Sequence, residues 1–195
     1  MGKKTGMNKT YRFALINFGL NTAYSIHHII FGIATRSLWL FNIGVYYVIL
    51  SVMRIVVLKS KSPGYSIRFT GTMLMLLSLP LAGTVILSFV KDRGKEFHLI
   101  VMLATAVYSF TKITLATVKF IKSRKSASVK LKALRNISFA DAFVSIFSLQ
   151  RSMLVSFEGM SETGIRIMNA STGSAVYIIV FLLGLNLILY INKQR

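Results

Sequence analysis

The sequence predicts an all-α, polytopic membrane protein: six transmembrane helices arranged as three hairpins, with both termini on the cytoplasmic side. Three observations carry that expectation. Hydrophobic residues make up 54% of the 195 residues, above the roughly 45–50% apolar content of ordinary soluble domains. They fall in long runs rather than narrow stripes, so lipid is the solvent that suits them. The 24 Lys and Arg, set against only 5 Asp and Glu, are segregated by connection.

Crossing a hydrocarbon core of about 30 Å takes roughly 20 helical residues. Six segments reach that length, at approximately 12–34, 38–58, 67–90, 97–118, 136–157 and 173–191, and together they read as one membrane domain over 1–195. The first follows a basic stretch, MGKKTGMNKTYRF. It is long, polar-spotted and lacks a small-residue cleavage site, so a retained helix is expected rather than a signal peptide. Gly2 fits an N-myristoylation pattern, but Gly6 stands where that pattern wants Ser or Thr. The second and fourth spans carry Arg54 in LSVMRI and Lys112 in YSFTKI. These share Ser-x-x-Arg/Lys-Ile, a faint repeat that makes the two bases equivalent. The third contains LSLPLAGTV, where Pro80 and Gly83 favour a kink. The fifth lies in RNISFADAFVSIFSLQRSMLVSFEG and is, with the first, the least apolar. Ahead of the sixth, Ser161 and Glu162 form a helix-start pair, so that helix is expected to begin near 162. NASTGSA (169–175) then supplies a close-packing face.

Orientation follows from charge. Lys3, Lys4, Lys9 and Arg12 precede the first span. Lys59, Lys61 and Arg68 lie in the second connection, seven bases from Lys119 to Arg135 lie at the fourth, and Lys193 and Arg195 end the chain. These share one side. Only Arg36, Lys91, Arg93, Lys95 and Arg166 fall on the other. The bias is a positive-inside signal, with both termini cytoplasmic. Dropping span one or span five would mix the two sets. The expected location is the plasma or inner membrane, multi-pass. The densest basic stretch, KFIKSRKSASVKLKALR, suits anionic lipid headgroups. No folded nucleic-acid reader fits in 17 residues, so nucleic acid is not an expected partner.

Polar groups inside the spans carry the functional content. Counted at 1.5 Å per residue from the cytoplasmic end of each span, Asn17, Arg54, Lys112, Asp141 and Asn186 all lie about 7–11 Å deep. A lone charge at the bilayer centre costs roughly 2.5–3.5 kcal/mol on insertion scales, and such residues usually turn inward and pair. Asp141 is the one acid at this level; Arg54 and Lys112 are the bases. Asp141 is therefore expected to pair with Lys112, Arg54 or both, with Asn17 and Asn186 nearby. Snorkelling to the headgroups is the alternative for Arg54. In span five, Ser138, Asp141, Ser145, Ser148, Ser152 and Ser156 recur at helical spacing and form one face. That face reads as a close-packing seam or as a hydrated wall. A second cluster is expected in the outer half, with Arg151 and Glu158 near His27 and His28.

Catalytic chemistry finds no foothold. The absence of cysteine excludes disulfides, thiolate zinc, iron–sulfur clusters and cysteine nucleophiles. Adjacent His27 and His28 point about 100° apart on a helix and cannot form an i, i+4 metal pair. No Walker loop, HExxH or GxSxG stands in the sequence. No catalytic residue, cofactor or metal is expected, nor an enzyme. Two readings remain. One is a small-solute or ion transporter or channel built on the Asp141–Lys112/Arg54 cluster. The other is a non-transporting accessory, assembly or immunity-type protein whose polar residues only pack helices. Its partners are the bilayer and a second copy or another membrane protein.

Overall fold

In the computed structural model six helices follow one another: α1 Gly2–Ala34, α2 Leu38–Lys59, α3 Pro63–Val90, α4 Leu99–Ser123, α5 Val129–Ser156 and α6 Glu162–Asn192. The structure describes the backbone of residues 2–90, 99–123, 128–156 and 161–193. Side chains are described for all of these except 2–14, 17, 87–90, 99–101, 104, 119–120, 122–123 and 155–156. Three helices are long and apolar enough to cross a membrane by length and composition: Leu38–Lys59, the Pro63–Ile86 stretch of α3, and Glu162–Asn192. Among the described residues each expected span falls on a helix of its own, but α1, α5 and α6 start ten, seven and eleven residues earlier than the hydrophobic runs do.

Local chemistry explains the ends. The Ser161 hydroxyl accepts from Gly164 N at 3.2 Å, and Glu162 sits in the first turn of α6. Pro63 opens α3, where its missing N–H is no loss, and Ser62 caps it by accepting from Tyr65 N. Helix α1 closes with paired bonds, Ser37 N to Gly32 O at 2.9 Å and Arg36 N to Ile33 O at 3.2 Å. This is the Schellman pattern, and it holds Arg36 at φ 51, where glycine is the usual occupant. Pro80 lies inside α3, and Asn42 of α2 donates to its carbonyl at 3.2 Å.

Helix α5 packs against α2, α3, α4 and α6; α1 packs on α2. The main neighbour of α3 is α6, not its sequence neighbour α4. The expected middle hairpin therefore opens out, and glycine is the physical reason. A Cβ on Gly184 would lie 2.8 Å from Gly71 O, and one on Gly71 would lie 2.9 Å from Gly184 O. The two backbones touch where neither carries a side chain, a small-residue crossing suited to membranes. At the α1–α2 crossing the Ser25 hydroxyl donates to Gly44 O at 2.9 Å.

The apolar core runs through Tyr47, Leu50, Val57, Ile67, Leu74, Ile137, Val144 and Val180, all fully buried. Leu79, Ile86, Leu103, Val107, Phe110, Ile121 and Leu189 face outward instead; Leu79, Ile86 and Leu189 belong to helices apolar enough to cross a membrane. Lys130 at the start of α5 donates to Ser60 O. Lys132 lies over the Tyr190 ring near the end of α6, 3.0 Å from its centroid. The end of α2, the starts of α3 and α5 and the end of α6 thus share one basic end of the bundle.

Gly184→Leu is expected to lower stability by about 1–3 kcal/mol through overpacking. Gly83→Ala, where a Cβ meets nothing within 4 Å, should hold or raise it, since alanine favours helix. Thermal unfolding in detergent measures both; equal midpoints would contradict the glycine crossing.

Candidate functional site

Three helices deliver polar side chains to one carboxylate on a fourth. Asp141 projects from α5 and is 1% exposed. Arg54 of α2 reaches its Oδ2 through Nη2 at 2.5 Å, and Lys112 of α4 reaches the same oxygen through Nζ at 2.8 Å. Asn21 of α1 donates to it at 3.2 Å. Both bases are buried, at 2% and 3% exposure, so Arg54 does not snorkel. Two cations on one carboxylate oxygen leave this group of side chains with a net positive charge.

Tyrosines wall the cluster. Tyr108 donates to Asn21 Oδ1 at 3.1 Å and stacks on Tyr24, with centroids 4.0 Å apart and planes 6° from parallel. The Lys112 ammonium lies 5.0 Å from the Tyr108 centroid and 5.9 Å from that of Tyr47, cation–π distances that favour a desolvated ammonium. Tyr47 bonds the Ser145 hydroxyl at 2.8 Å, and Ser109 donates to Ser145 O at 3.0 Å. Ser148 and Thr105 stand beside the Tyr24 hydroxyl.

The polar face of α5 is buried along Ser138, Asp141, Ser145, Ser148 and Ser152; the side chain of Ser156 lies outside the described residues. Ser145 and Ser152 donate to the carbonyls one turn back, Asp141 O at 2.7 Å and Ser148 O at 2.9 Å. Hydroxyls bonded in this way need no water and let neighbouring helices approach.

Other sequence-derived residues are dispersed. The Asn17 side chain lies outside the described residues; Asn21, one turn on, is the α1 group in contact with Asp141. Asn186 is exposed on α6, and none of the described hydrogen bonds of Asp141 reaches that helix. The outer cluster does not assemble around the histidines. Arg151 is buried with its guanidinium 4.5 Å from the Trp39 ring centroid, because an aromatic face suits its planar cation. His28 is buried with Nδ1 3.0 Å from Tyr24 O, and its ring packs on Tyr24. His27 is exposed and stacks on Phe31. Glu158 lies outside the described residues. Among the described residues no three His, Asp or Glu gather as metal ligands.

The tyrosine wall and Asn21 were not anticipated from sequence. Tyr108 stands one turn before Lys112, and Tyr24 and Asn21 share a face of α1. The i, i+4 relation of Tyr108 to Lys112 was the signal on offer.

Asp141→Asn leaves two buried cations without a counter-charge and is expected to cost about 3–5 kcal/mol. Lys112→Met leaves a neutral Arg54–Asp141 pair and should cost far less. Denaturant unfolding in mixed micelles measures the difference; equal losses would contradict the cluster. No protein-family model matches the chain, and neither a curated protein nor a solved structure matches it.

Proposed function

We propose that the chain is an integral membrane protein that passes or exchanges a small solute or ion, with Asp141, Lys112 and Arg54 as its gate or coupling centre. The observation that carries this reading is the second cation. A pair that only held helices together would need one base for one acid. Here Arg54 and Lys112 converge on the same oxygen at 2.5 and 2.8 Å. Intramembrane ionisable groups are rare, and they mark substrate and ion paths. A carboxylate that can exchange one base for the other has two arrangements of nearly equal chemistry, which is what a gate requires.

The bundle is read as six spans with both termini cytoplasmic, in the plasma or inner membrane. Helices α1, α4 and α5 are long enough to span, and Asn21, Lys112 and Asp141 turn towards one another rather than outward. Lys59, Lys130, Lys132, Arg135 and Lys193 crowd the end assigned to the cytoplasm, where anionic headgroups meet them.

A second reading, a non-transporting accessory, assembly or immunity-type protein, draws on a different observation. The three charges are almost fully enclosed, and the α5 hydroxyls are bonded within the bundle. In that case the cluster serves only to fix helix partners.

Reconstituted wild-type vesicles should move a small solute, and Lys112→Met should reduce the flux at least about tenfold while the midpoint of unfolding stays near wild type. A tenfold loss corresponds to about 1.4 kcal/mol. Absence of flux for every class of solute in wild type would favour the accessory reading. For topology, single cysteines placed at Ser60 and Ser37 in this cysteine-free chain are expected to label from opposite faces with an impermeant maleimide, Ser60 from the cytoplasm. Labelling from one face would contradict the assignment.

A further inference from the structure

Arg54 and Asp141 meet through a single atom of each. A guanidinium facing a carboxylate usually closes two parallel bonds. Here Nη2 and Oδ2 close one, while Lys112 and Asn21 crowd the same oxygen. The other arms, Arg54 Nη1 and Asp141 Oδ1, are buried and have no hydrogen-bond partner. Native interiors seldom leave such atoms unmatched, because each forfeits its solvation without compensation. The two needs differ in kind. Nη1 requires an acceptor and Oδ1 requires a donor.

Charge restricts the ligand further. With both bases protonated, the three side chains carry one positive charge in excess. The other acids do not relieve it among the described residues. Glu162 is exposed at the start of α6, and Asp92, Glu96 and Glu158 lie outside those residues. A metal cation would meet Arg54 and Lys112 and be repelled. An anion with acceptor atoms alone would satisfy Nη1 but set a lone pair against Oδ1. Lys59, Arg68, Lys130 and Lys132, at the basic end of the bundle, raise the local concentration of anions.

We propose that the triad binds a small monovalent oxyanion that retains a hydroxyl, the chemistry hydrogencarbonate represents. One oxygen accepts from Arg54 Nη1, and the hydroxyl donates to Asp141 Oδ1. The complex is electrically neutral and leaves both buried atoms matched. As the identity of a transported species, this rests on the transport reading above; as a binding site, it stands apart from it.

The test uses purified full-length protein in detergent at constant pH and ionic strength, with hydrogencarbonate and nitrate as probes. The two anions are planar, similar in size and equal in charge, and differ in the hydroxyl. Hydrogencarbonate should raise the unfolding midpoint saturably, with an apparent Kd at least about tenfold below that of nitrate, a difference of about 1.4 kcal/mol. Lys112→Met keeps a neutral Arg54–Asp141 pair and should fold, but lose the saturable rise. Arg54→Lys keeps the charge but removes Nη1, the donor both anions use, and should weaken hydrogencarbonate and nitrate alike. No saturable rise in wild type, equal affinity for nitrate, or an unchanged rise in Lys112→Met would each overturn the proposal. Flux separates it from the transport reading. Vesicles that carry sodium or a neutral sugar but not hydrogencarbonate would overturn the anion as the transported species and leave transport standing. Saturable binding without flux of any solute would support the anion site and overturn transport.

Discussion

One buried carboxylate holds the arrangement together. Asp141 receives Arg54, Lys112 and Asn21 from three other helices on a single oxygen. Buried away from water, each of these groups needs a partner, and each has little choice of one. The carboxylate therefore fixes which faces of α1, α2, α4 and α5 look inward. It also fixes their relative height, since a shift of one helical turn would carry a base about 5 Å away from it.

Small residues let the helices come close enough for this to happen. The α5 serines return their hydroxyls to their own backbone, and Gly71 and Gly184 bring α3 and α6 into backbone contact. The same logic explains why the least apolar helix sits among the most neighbours. The polar face of helix α5 is buried in the bundle, so its polarity is satisfied by its own backbone and by other helices. Helices α2, α3 and α6 supply the strongly apolar lengths, and α3 and α6 place large side chains such as Leu79 and Leu189 on the outside.

Much of the site was legible because a residue count along a helix converts directly to height. Counting residues from the basic ends puts Asp141, Arg54 and Lys112 at one level, and the structure has them in contact. Helical spacing likewise singled out the α5 face from Ser138 to Ser152. On α1 the described group in contact with Asp141 is Asn21, which the count did not single out; the side chain of Asn17, one turn before it, lies outside the described residues. Partner choice was less legible. Hydropathy gives the length of a helix but not its neighbour, so the α3–α6 crossing depended on two glycines that looked ordinary in sequence. The stacking of Arg151 on Trp39 is a contact between α5 and α2 that no local spacing encodes.

The dependence of two cations on one carboxylate can be measured directly as a coupling free energy. A double-mutant cycle combines Asp141→Asn with Lys112→Met and follows unfolding of all four proteins in the same micelles. Removing Lys112 from the Asp141→Asn background takes away a stranded charge. The double variant should therefore be more stable than Asp141→Asn, with a coupling in the range of about 0.5–3 kcal/mol found for residues in direct contact. Losses that simply add, within about 0.5 kcal/mol, would mean that Asp141 does not neutralise Lys112, and the central interaction would be absent.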